Sequence, residues 1–249
     1  MPAAPVPILY IVPLVFLGAL LYTSVGHGGA TVYLAILTLA GFAIPPLVTT
    51  VLVLNLVAAG IAFLMFSHAG HLRWRLLLPF VATSVPMAYF GGRLPLSGRT
   101  QSIVLGVSLM LAAFRFLLFQ KPPRWNVPRA GPVFVVGAPL AGSLLGFLAG
   151  ATGIGGGIFL SPALLVLGWA DVRETGNVSS AFILLNSLAG LAARLPRTPL
   201  DRGLLAPLAG AVIAGAVVGS FAGARRLPPR ILYALLGTVL LVASVKAML

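Results

Sequence analysis

Two glycine clusters contain the residues of this sequence whose type and spacing could do chemistry. The first is Gly26-His27-Gly28-Gly29-Ala30, and the second is Gly153-Ile154-Gly155-Gly156-Gly157. Glycine tolerates positive φ and lets the backbone approach a ligand closely, so a glycine-rich break in an apolar segment exposes N–H groups that a helix would hide. A helix that starts after such a break adds unpaired N–H groups and the positive end of its dipole. Two such breaks predict a paired binding site for an oxyanion.

Close packing of membrane helices is the alternative interpretation of both clusters, because small residues let helices approach each other. A packing seam needs one small residue per turn, whereas Gly155-Gly156-Gly157 places three in succession. Two other glycine sets have the spacing of four residues that a packing seam requires, and we predict that these are helix contacts. They are Gly142, Gly146 and Gly150, and Gly215, Gly219 and Gly223.

Neutral polar side chains near the clusters are suited to complete the hydrogen bonds around an oxyanion. Asn55 and Asn186 follow the two clusters at matched places, each directly after a leucine. An asparagine inside a membrane also joins helices by hydrogen bonds, so a binding role and a packing role stay open for both. The candidate substrate-binding residues are Gly26, His27, Gly28, Gly29, Thr31, Asn55, Thr152, Gly153, Gly155, Gly156, Gly157, Ser179 and Asn186.

His27 is the one titratable side chain inside either cluster, and Ile154 stands at its matched place. A protonated His27 would add positive charge to the site and make anion binding depend on pH. A structural histidine in a polar pocket is the equally weighted alternative.

Acidic residues are scarce, which narrows the classes of function. Asp171, Glu174 and Asp201 are the only three in the sequence, and all fall in predicted loops. Cation carriers and proton relays usually place Asp or Glu inside the membrane, so both are disfavoured. The sequence also lacks cysteine and the common hydrolase and nucleotide-binding motifs. We therefore predict no enzyme activity, no metal site and no cofactor.

The elements that must position these residues are transmembrane helices. The 249 residues are 59% hydrophobic and 8% charged, whereas a soluble domain carries about 25% charged residues. Apolar segments of about 20 residues, the length that spans a bilayer, recur along the chain. The net charge of +13 comes from cations between these segments, which is typical of loops that set topology and touch lipid headgroups. An all-α, multi-pass protein in a lipid bilayer is expected, with no nucleic-acid partner.

Ten apolar segments are predicted, at residues 8–23, 31–42, 46–66, 76–92, 101–119, 132–150, 157–168, 176–194, 203–222 and 230–248. The second and seventh are too short to cross, since about 12 helical residues reach about 18 Å. Each follows a longer segment and a glycine cluster, which predicts a re-entrant helical hairpin whose first arm enters to the membrane midplane. Each half would then hold one hairpin and three crossings, and the halves would be inverted. The alternative is eight crossings in two parallel sets of four.

The order of landmarks along the chain predicts an internal duplication. The two clusters align with each other, as do Leu54-Asn55 with Leu185-Asn186, Pro79 with Pro207, and Leu105-Gly106 with Leu236-Gly237. We therefore expect two membrane repeats, residues 1–125 and 126–249. Duplicated membrane proteins are commonly transporters with a substrate site between the repeats near the midplane. A duplication that only enlarges a helical bundle is the alternative.

The two glycine breaks, with a Leu-Asn pair after each, resemble the TauE/SafE sulfite exporter family. The motifs are Val25-Gly26-His27-Gly28-Gly29 and Gly150-Ala151-Thr152-Gly153-Ile154-Gly155-Gly156-Gly157, and the resemblance covers about Ile8 to Leu249. It implies a secondary transporter of the bacterial inner membrane that exports sulfite, an organosulfonate or another small sulfur oxyanion. It also implies that Gly28, Gly29 and residues 155–157 lie at the substrate site.

Two other functions stay open on the sequence. One is a membrane scaffold or maturation factor that transports nothing, and the other is a passive channel for small anions. A long loop would favour the scaffold, yet the longest predicted linker, residues 121–132, is near the upper end of ordinary loops. A homodimer stays open, because the sequence does not determine the oligomeric state.

Overall fold

The computed structural model describes residues 7–42, 44–94, 110, 131–198 and 200–248, and every regular element within them is helical. The predicted all-α class is therefore confirmed for this part of the chain. The helices are α1 (Ile8–Ser24), α2 (Ala30–Leu39), α3 (Ile44–His68), α4 (Trp74–Arg93), α5 (Pro132–Thr152), α6 (Gly157–Val166), α7 (Val172–Arg194), α8 (Arg202–Phe221) and α9 (Pro229–Met248). A π-helical turn, Ala222–Arg226, extends α8. Of the predicted segment at 101–119, only Met110 lies among the described residues.

Four stretches within the described ranges are long and apolar enough to cross a membrane: Leu47–His68, Val133–Thr152, Val172–Arg194 and Arg202–Arg226. Large apolar side chains also face outward at helical spacing, as Val133, Val136, Leu140 and Leu144 do on α5. A soluble protein rarely exposes a continuous apolar stripe of this kind, whereas a lipid-facing helix requires one. The chain is therefore a multi-pass helical membrane protein.

The centre of the fold is an antiparallel pair formed by α3 and α7. Asn177 near the start of α7 donates a hydrogen bond to Ser67 near the end of α3, at 2.8 Å. Asn55 in the middle of α3 donates to Ser187 in the later half of α7, also at 2.8 Å. Both asparagines are buried, so these bonds join the two helices along most of their length.

Two rows of glycines pack the helices around this central pair against each other, α5 against α4 and α8 against α1. On α5, Cβ atoms added at Gly142, Gly146 and Gly150 would collide with backbone carbonyl oxygens of α4. On α8 and its π-helical extension, Cβ atoms at Gly215, Gly219 and Gly223 would collide with carbonyl oxygens of α1. The prediction that both sets are packing faces is confirmed. In each seam the contacts advance together along both helices, so α4 runs parallel to α5 and α1 runs parallel to α8.

Replacing Gly146 with leucine is expected to separate α4 from α5. The added Cβ would meet the Cα and carbonyl of Ser84, which are backbone atoms that no rotamer change can move. Overpacking of this kind costs about 1–3 kcal/mol, and we expect a lower melting temperature of the detergent-purified protein. Gly137→Leu, on the same helix where a Cβ would meet no heavy atom within 4 Å, is the matched control. Equal melting temperatures for the two variants would contradict the seam.

Each short helix folds back along the long helix before it. Thr31 of α2 donates a hydrogen bond to the hydroxyl of Tyr22 near the end of α1, at 3.2 Å. In the second hairpin, Trp169 just after α6 packs edge-on against Phe134 near the start of α5, with ring centroids 5.0 Å apart. At 10 residues each, α2 and α6 are about 15 Å long. The prediction that these two segments are too short to cross is confirmed.

The first arm of the second hairpin is longer than predicted. α5 has 21 residues and follows α4 until Gly150 lies against Ala88, near the end of α4. It is also one of the stretches long and apolar enough to cross. The prediction that this arm enters only to the midplane stays a prediction, and the glycine seam shows only that α5 packs along α4. The chain returns toward the middle of the fold through the glycine cluster itself.

Glu174 is not in a loop, as the sequence predicted, but in the first turn of α7. Asp171 caps this helix by accepting hydrogen bonds from the backbone N–H groups of Arg173 and Glu174. The Glu174 carboxylate accepts in return from the Asp171 N–H and pairs with Arg73 before α4. These partners compensate the cost of burying the carboxylate, which is 8% exposed.

Candidate functional site

The two glycine clusters meet beside Asn55 in the middle of α3. The Asn55 Oδ1 atom accepts a hydrogen bond at 3.0 Å from the N–H of Ala30, the first residue of α2. The Nδ2 atom of the same amide donates to Ser187 on α7 at 2.8 Å. A Cβ added at Gly155 would lie 2.7 Å from that Nδ2 atom. One buried amide therefore contacts the first cluster, the second cluster and α7.

The backbone of both clusters takes conformations that favour glycine. Positive φ occurs at Gly26 and Gly29 in the first cluster, and at Gly153, Gly155 and Gly156 in the second. An L-residue in this region costs about 1–2 kcal/mol, so these bends depend on glycine. They let the chain reverse direction between the long and the short helix within a few residues.

Both short helices begin at the level of this amide. α2 begins at Ala30, which Asn55 caps, and α6 begins at Gly157, beside Ile183 and the Ser179 carbonyl in the middle of α7. The N-terminal ends of two helices therefore point into the same region, and each contributes about half a positive charge. This arrangement can stabilise an anion without a fixed cation.

A small cavity of about 10 Å³ lies where the clusters meet. That volume corresponds to roughly one water molecule, so the cavity must widen before it can hold an oxyanion of four or more heavy atoms. No charged side chain is among the residues that line it. The lining residues are Tyr22, His27, Gly28, Gly29, Ala30, Thr31, Asn55, Ile154, Ile158 and Ile183.

His27 connects the first cluster to the second hairpin. The residue is 2% exposed, and its Nε2 atom lies 3.1 Å from Ser161 Oγ on α6. Ser161 Oγ in turn lies 2.7 Å from Ser179 Oγ on α7. The Nδ1 atom has no hydrogen-bond partner in the part of the chain that the structure describes. His27 thus lines the cavity with one ring nitrogen bonded and the other free.

A family model described as sulfite exporter TauE/SafE matches residues 11–247. The chain belongs to this family. It is 32% identical over 234 residues to the probable membrane transporter protein y4hK of Sinorhizobium fredii (strain NBRC 101917 / NGR234), an alignment that covers 93% of this chain and 94% of the relative. No solved structure matches the chain. The resemblance predicted from the glycine motifs is confirmed, and the chain is a member of a membrane transporter family.

In this TauE/SafE protein, several predicted site residues contact the cavity or its wall. His27, Gly28, Gly29, Thr31 and Asn55 line it directly. Three others do not line the cavity but lie beside residues that do, namely Asn55, Ile183 and, by way of Ser161, His27. They are Gly155, Gly157 and Ser179.

Five predicted residues lie elsewhere. Asn186 donates to Ser84 on α4 at 3.0 Å and to the Phe182 carbonyl at 2.8 Å, which are contacts of the kind that join helices. Thr152 bonds back to the Leu148 carbonyl of its own helix at 2.6 Å. The other three are glycines that pack against protein atoms away from the cavity. Gly26 packs on Gly176, Gly153 on Val48, and Gly156 on Ala149 and Phe182.

Two residues that the sequence did not single out contact residues of this candidate site. Ser187 accepts from Asn55, and Tyr33 donates from its hydroxyl to the Gly28 carbonyl at 2.8 Å. Ser187 could have been found from helical spacing, because Ser179, Ile183 and Ser187 recur every four residues on one face of α7. No comparable pattern marks Tyr33, whose contact depends on how the first hairpin folds.

Proposed function

We propose that this protein is a secondary transporter that exports a small sulfur oxyanion, sulfite or an organosulfonate, across a bacterial inner membrane. The substrate would bind between two repeats, residues 1–125 and 126–249. The observation that carries the proposal is the convergence of two glycine breaks and two helix N-termini on the amide of Asn55. Membership in the TauE/SafE family supports the same conclusion.

The donors at the cavity favour an oxyanion over a cation. The second N–H of Asn55 Nδ2 and one nitrogen of His27 can each donate a hydrogen bond to a substrate oxygen. Carboxylates are absent from the cavity lining, so a cation would find no charge to pair with there. Sulfite and sulfonates present three oxygen atoms on one sulfur, which matches donors that converge from several elements.

Helix directions support inverted repeats. The third helices of the two halves, α3 and α7, run antiparallel across the Asn55–Ser187 contact. The first helix of each half also packs along the fourth helix of the other, α1 on α8 and α5 on α4. A pseudo-twofold axis that relates two similar halves produces this pattern. Inverted repeats can rock about a shared site and expose it to either side of the membrane, as a carrier requires.

Counterflow in proteoliposomes tests the proposed function. Vesicles loaded with unlabelled sulfite should take up labelled sulfite with saturable kinetics, and sulfate, acetate and ethanesulfonate as competitors would rank the substrates. Protein-free vesicles are the control. Flux without saturation or counterflow would indicate a channel instead. No flux of any of these anions would reject the sulfur oxyanion and favour a scaffold.

Single-cysteine labelling tests the inverted arrangement, and the absence of native cysteine makes the labels unambiguous. Arg75, after the α3–α4 loop, and Pro196, after α7, are both exposed. Because α3 and α7 end at opposite faces of the fold, we expect a membrane-impermeant maleimide to label Arg75→Cys and Pro196→Cys from opposite sides. Wild-type protein is the control for background labelling. Labelling from one side would favour eight crossings with parallel halves.

A further inference from the structure

We propose that His27 takes up one proton with each bound anion, so that anion and proton cross the membrane together. The inference rests on the proposed function and adds to it the coupling ion. Because the proton leaves with the anion, net export requires an outward anion gradient that exceeds the inward proton gradient. His27 would be neutral in the empty site and protonated in the loaded one. The proton enters from water on one side and leaves to water on the other, and no further reactant is needed.

The charge of the cavity wall is the first observation behind this proposal. An anion held there would be enclosed by neutral groups and two helix N-termini, since the lining residues include no Lys, Arg, Asp or Glu. Burying an uncompensated charge away from water is costly. His27 is the lining residue that can supply a full positive charge near neutral pH. A proton on His27 would therefore stabilise the loaded site.

The hydrogen bonds of His27 are the second observation. Nε2 is already engaged with Ser161, and Ser161 with Ser179, while Nδ1 has no partner within the described residues. If Nε2 carries the proton and donates to Ser161, Nδ1 has an unshared lone pair that can accept a proton. If Nε2 accepts from Ser161, Nδ1 carries an unpaired N–H, which costs about 1–3 kcal/mol when buried. In the protonated ring both nitrogens donate, so Nδ1–H can bond an anion while the Ser161 contact persists.

The groups that face His27 from the surrounding elements are neutral. They are Tyr22 on α1, Thr31 on α2, Asn55 on α3, Ser161 and the Gly157 backbone on α6, and Ser179 on α7. The nearest acidic residue along α7 is Glu174, which lies in the first turn of that helix and is paired with Arg73. A bound anion would therefore be the principal negative charge beside the ring. Loading and protonation should favour each other reciprocally.

The experiment measures uptake driven by a pH gradient. The probe is ethanesulfonate, which stays ionised across the pH range and so cannot cross as a free acid. With the membrane potential clamped at zero, a gradient of one pH unit, acid outside, should concentrate it about tenfold inside wild-type vesicles, since one unit corresponds to about 1.4 kcal/mol. His27→Gln should abolish this accumulation. His68→Gln, an exposed histidine at the end of α3, should retain it.

Calorimetry on the wild-type protein keeps the proposal testable if His27→Gln does not fold. Titration with ethanesulfonate in two buffers of different ionisation enthalpy counts the protons taken up per anion, and we expect about one at pH 7.5. For sulfite, the heat of its own protonation is measured without protein and subtracted. Uptake of no protons per bound anion would contradict the coupling but not anion transport. Accumulation by the wild-type protein that does not respond to the pH gradient would have the same meaning. No counterflow at equal pH would instead overturn the proposed function.

Discussion

Sulfite counterflow is expected to fall at least tenfold when Gly155 is replaced by alanine. The position has φ near +76°, so any side chain adds backbone strain of about 1–2 kcal/mol. The new Cβ would also lie 2.7 Å from Asn55 Nδ2 and 3.0 Å from Ser187 Oγ, the two atoms of the hydrogen bond at the centre of the site. The methyl group must displace one of them, and the donors that face the cavity would move with it.

Gly156→Ala is the matched control for this substitution, because it separates backbone strain from contact with the site. Gly156 has nearly the same φ, +71°, but its Cβ would face Ala149 and Phe182 instead of Asn55. It should lower the melting temperature about as much as Gly155→Ala while keeping the wild-type KM for sulfite. Proteoliposome kinetics and thermal unfolding of both variants provide the comparison. An equal loss of transport in the two would show that strain alone is responsible.

Asn55→Asp is expected to eliminate exchange while keeping the fold. The carboxylate can still accept the hydrogen bond from the Ala30 N–H, so the start of α2 stays capped. It cannot donate to Ser187, and it places a negative charge beside the proposed anion. Like charges within a few ångströms repel by about 4 kcal/mol at an effective dielectric of 20, which is roughly a thousandfold in affinity. Tracer exchange and equilibrium binding of sulfite check this expectation.

The second asparagine is the natural control, since the sequence places it at the matched position. Asn186→Asp should remove the hydrogen bond to Ser84, and such bonds inside membranes contribute about 0.6–1.7 kcal/mol. Its effect should therefore appear mainly in stability, with the KM for sulfite close to that of the wild type. If Asn186→Asp abolished exchange as fully as Asn55→Asp, the cavity beside Asn55 would not be the binding site.

Much of the fold followed from residue patterns that act locally. Apolar segments of bilayer length predicted the helices, because a chain in lipid must satisfy its backbone hydrogen bonds within each segment. The four-residue spacing of Gly142, Gly146 and Gly150 predicted a packing face, since small residues on one side of a helix serve few other purposes. The brevity of residues 31–42 and 157–168 likewise predicted helices unable to cross.

The candidate site was predicted only in part. Glycine clusters marked the two breaks, because positive φ is a local requirement that sequence displays directly. Asn55 and Asn186 looked equivalent in sequence, yet one faces the cavity and the other faces Ser84. Glu174 was placed in a loop because it lies just before the apolar segment predicted at 176–194, and its partner Arg73 lies 101 residues away in the chain.

The sequence alone determined that the protein lies in a lipid bilayer, where its helices form and where the chain must bend. All three depend on composition and short-range spacing. The tertiary structure decided which face of each helix meets which neighbour. Ser161, Ser179 and His27 come from three different elements, and their hydrogen bonds exist only because the two hairpins pack on the same antiparallel pair. Long-range contacts of this kind depend on the packing of side chains that are far apart in sequence, so no local pattern records them.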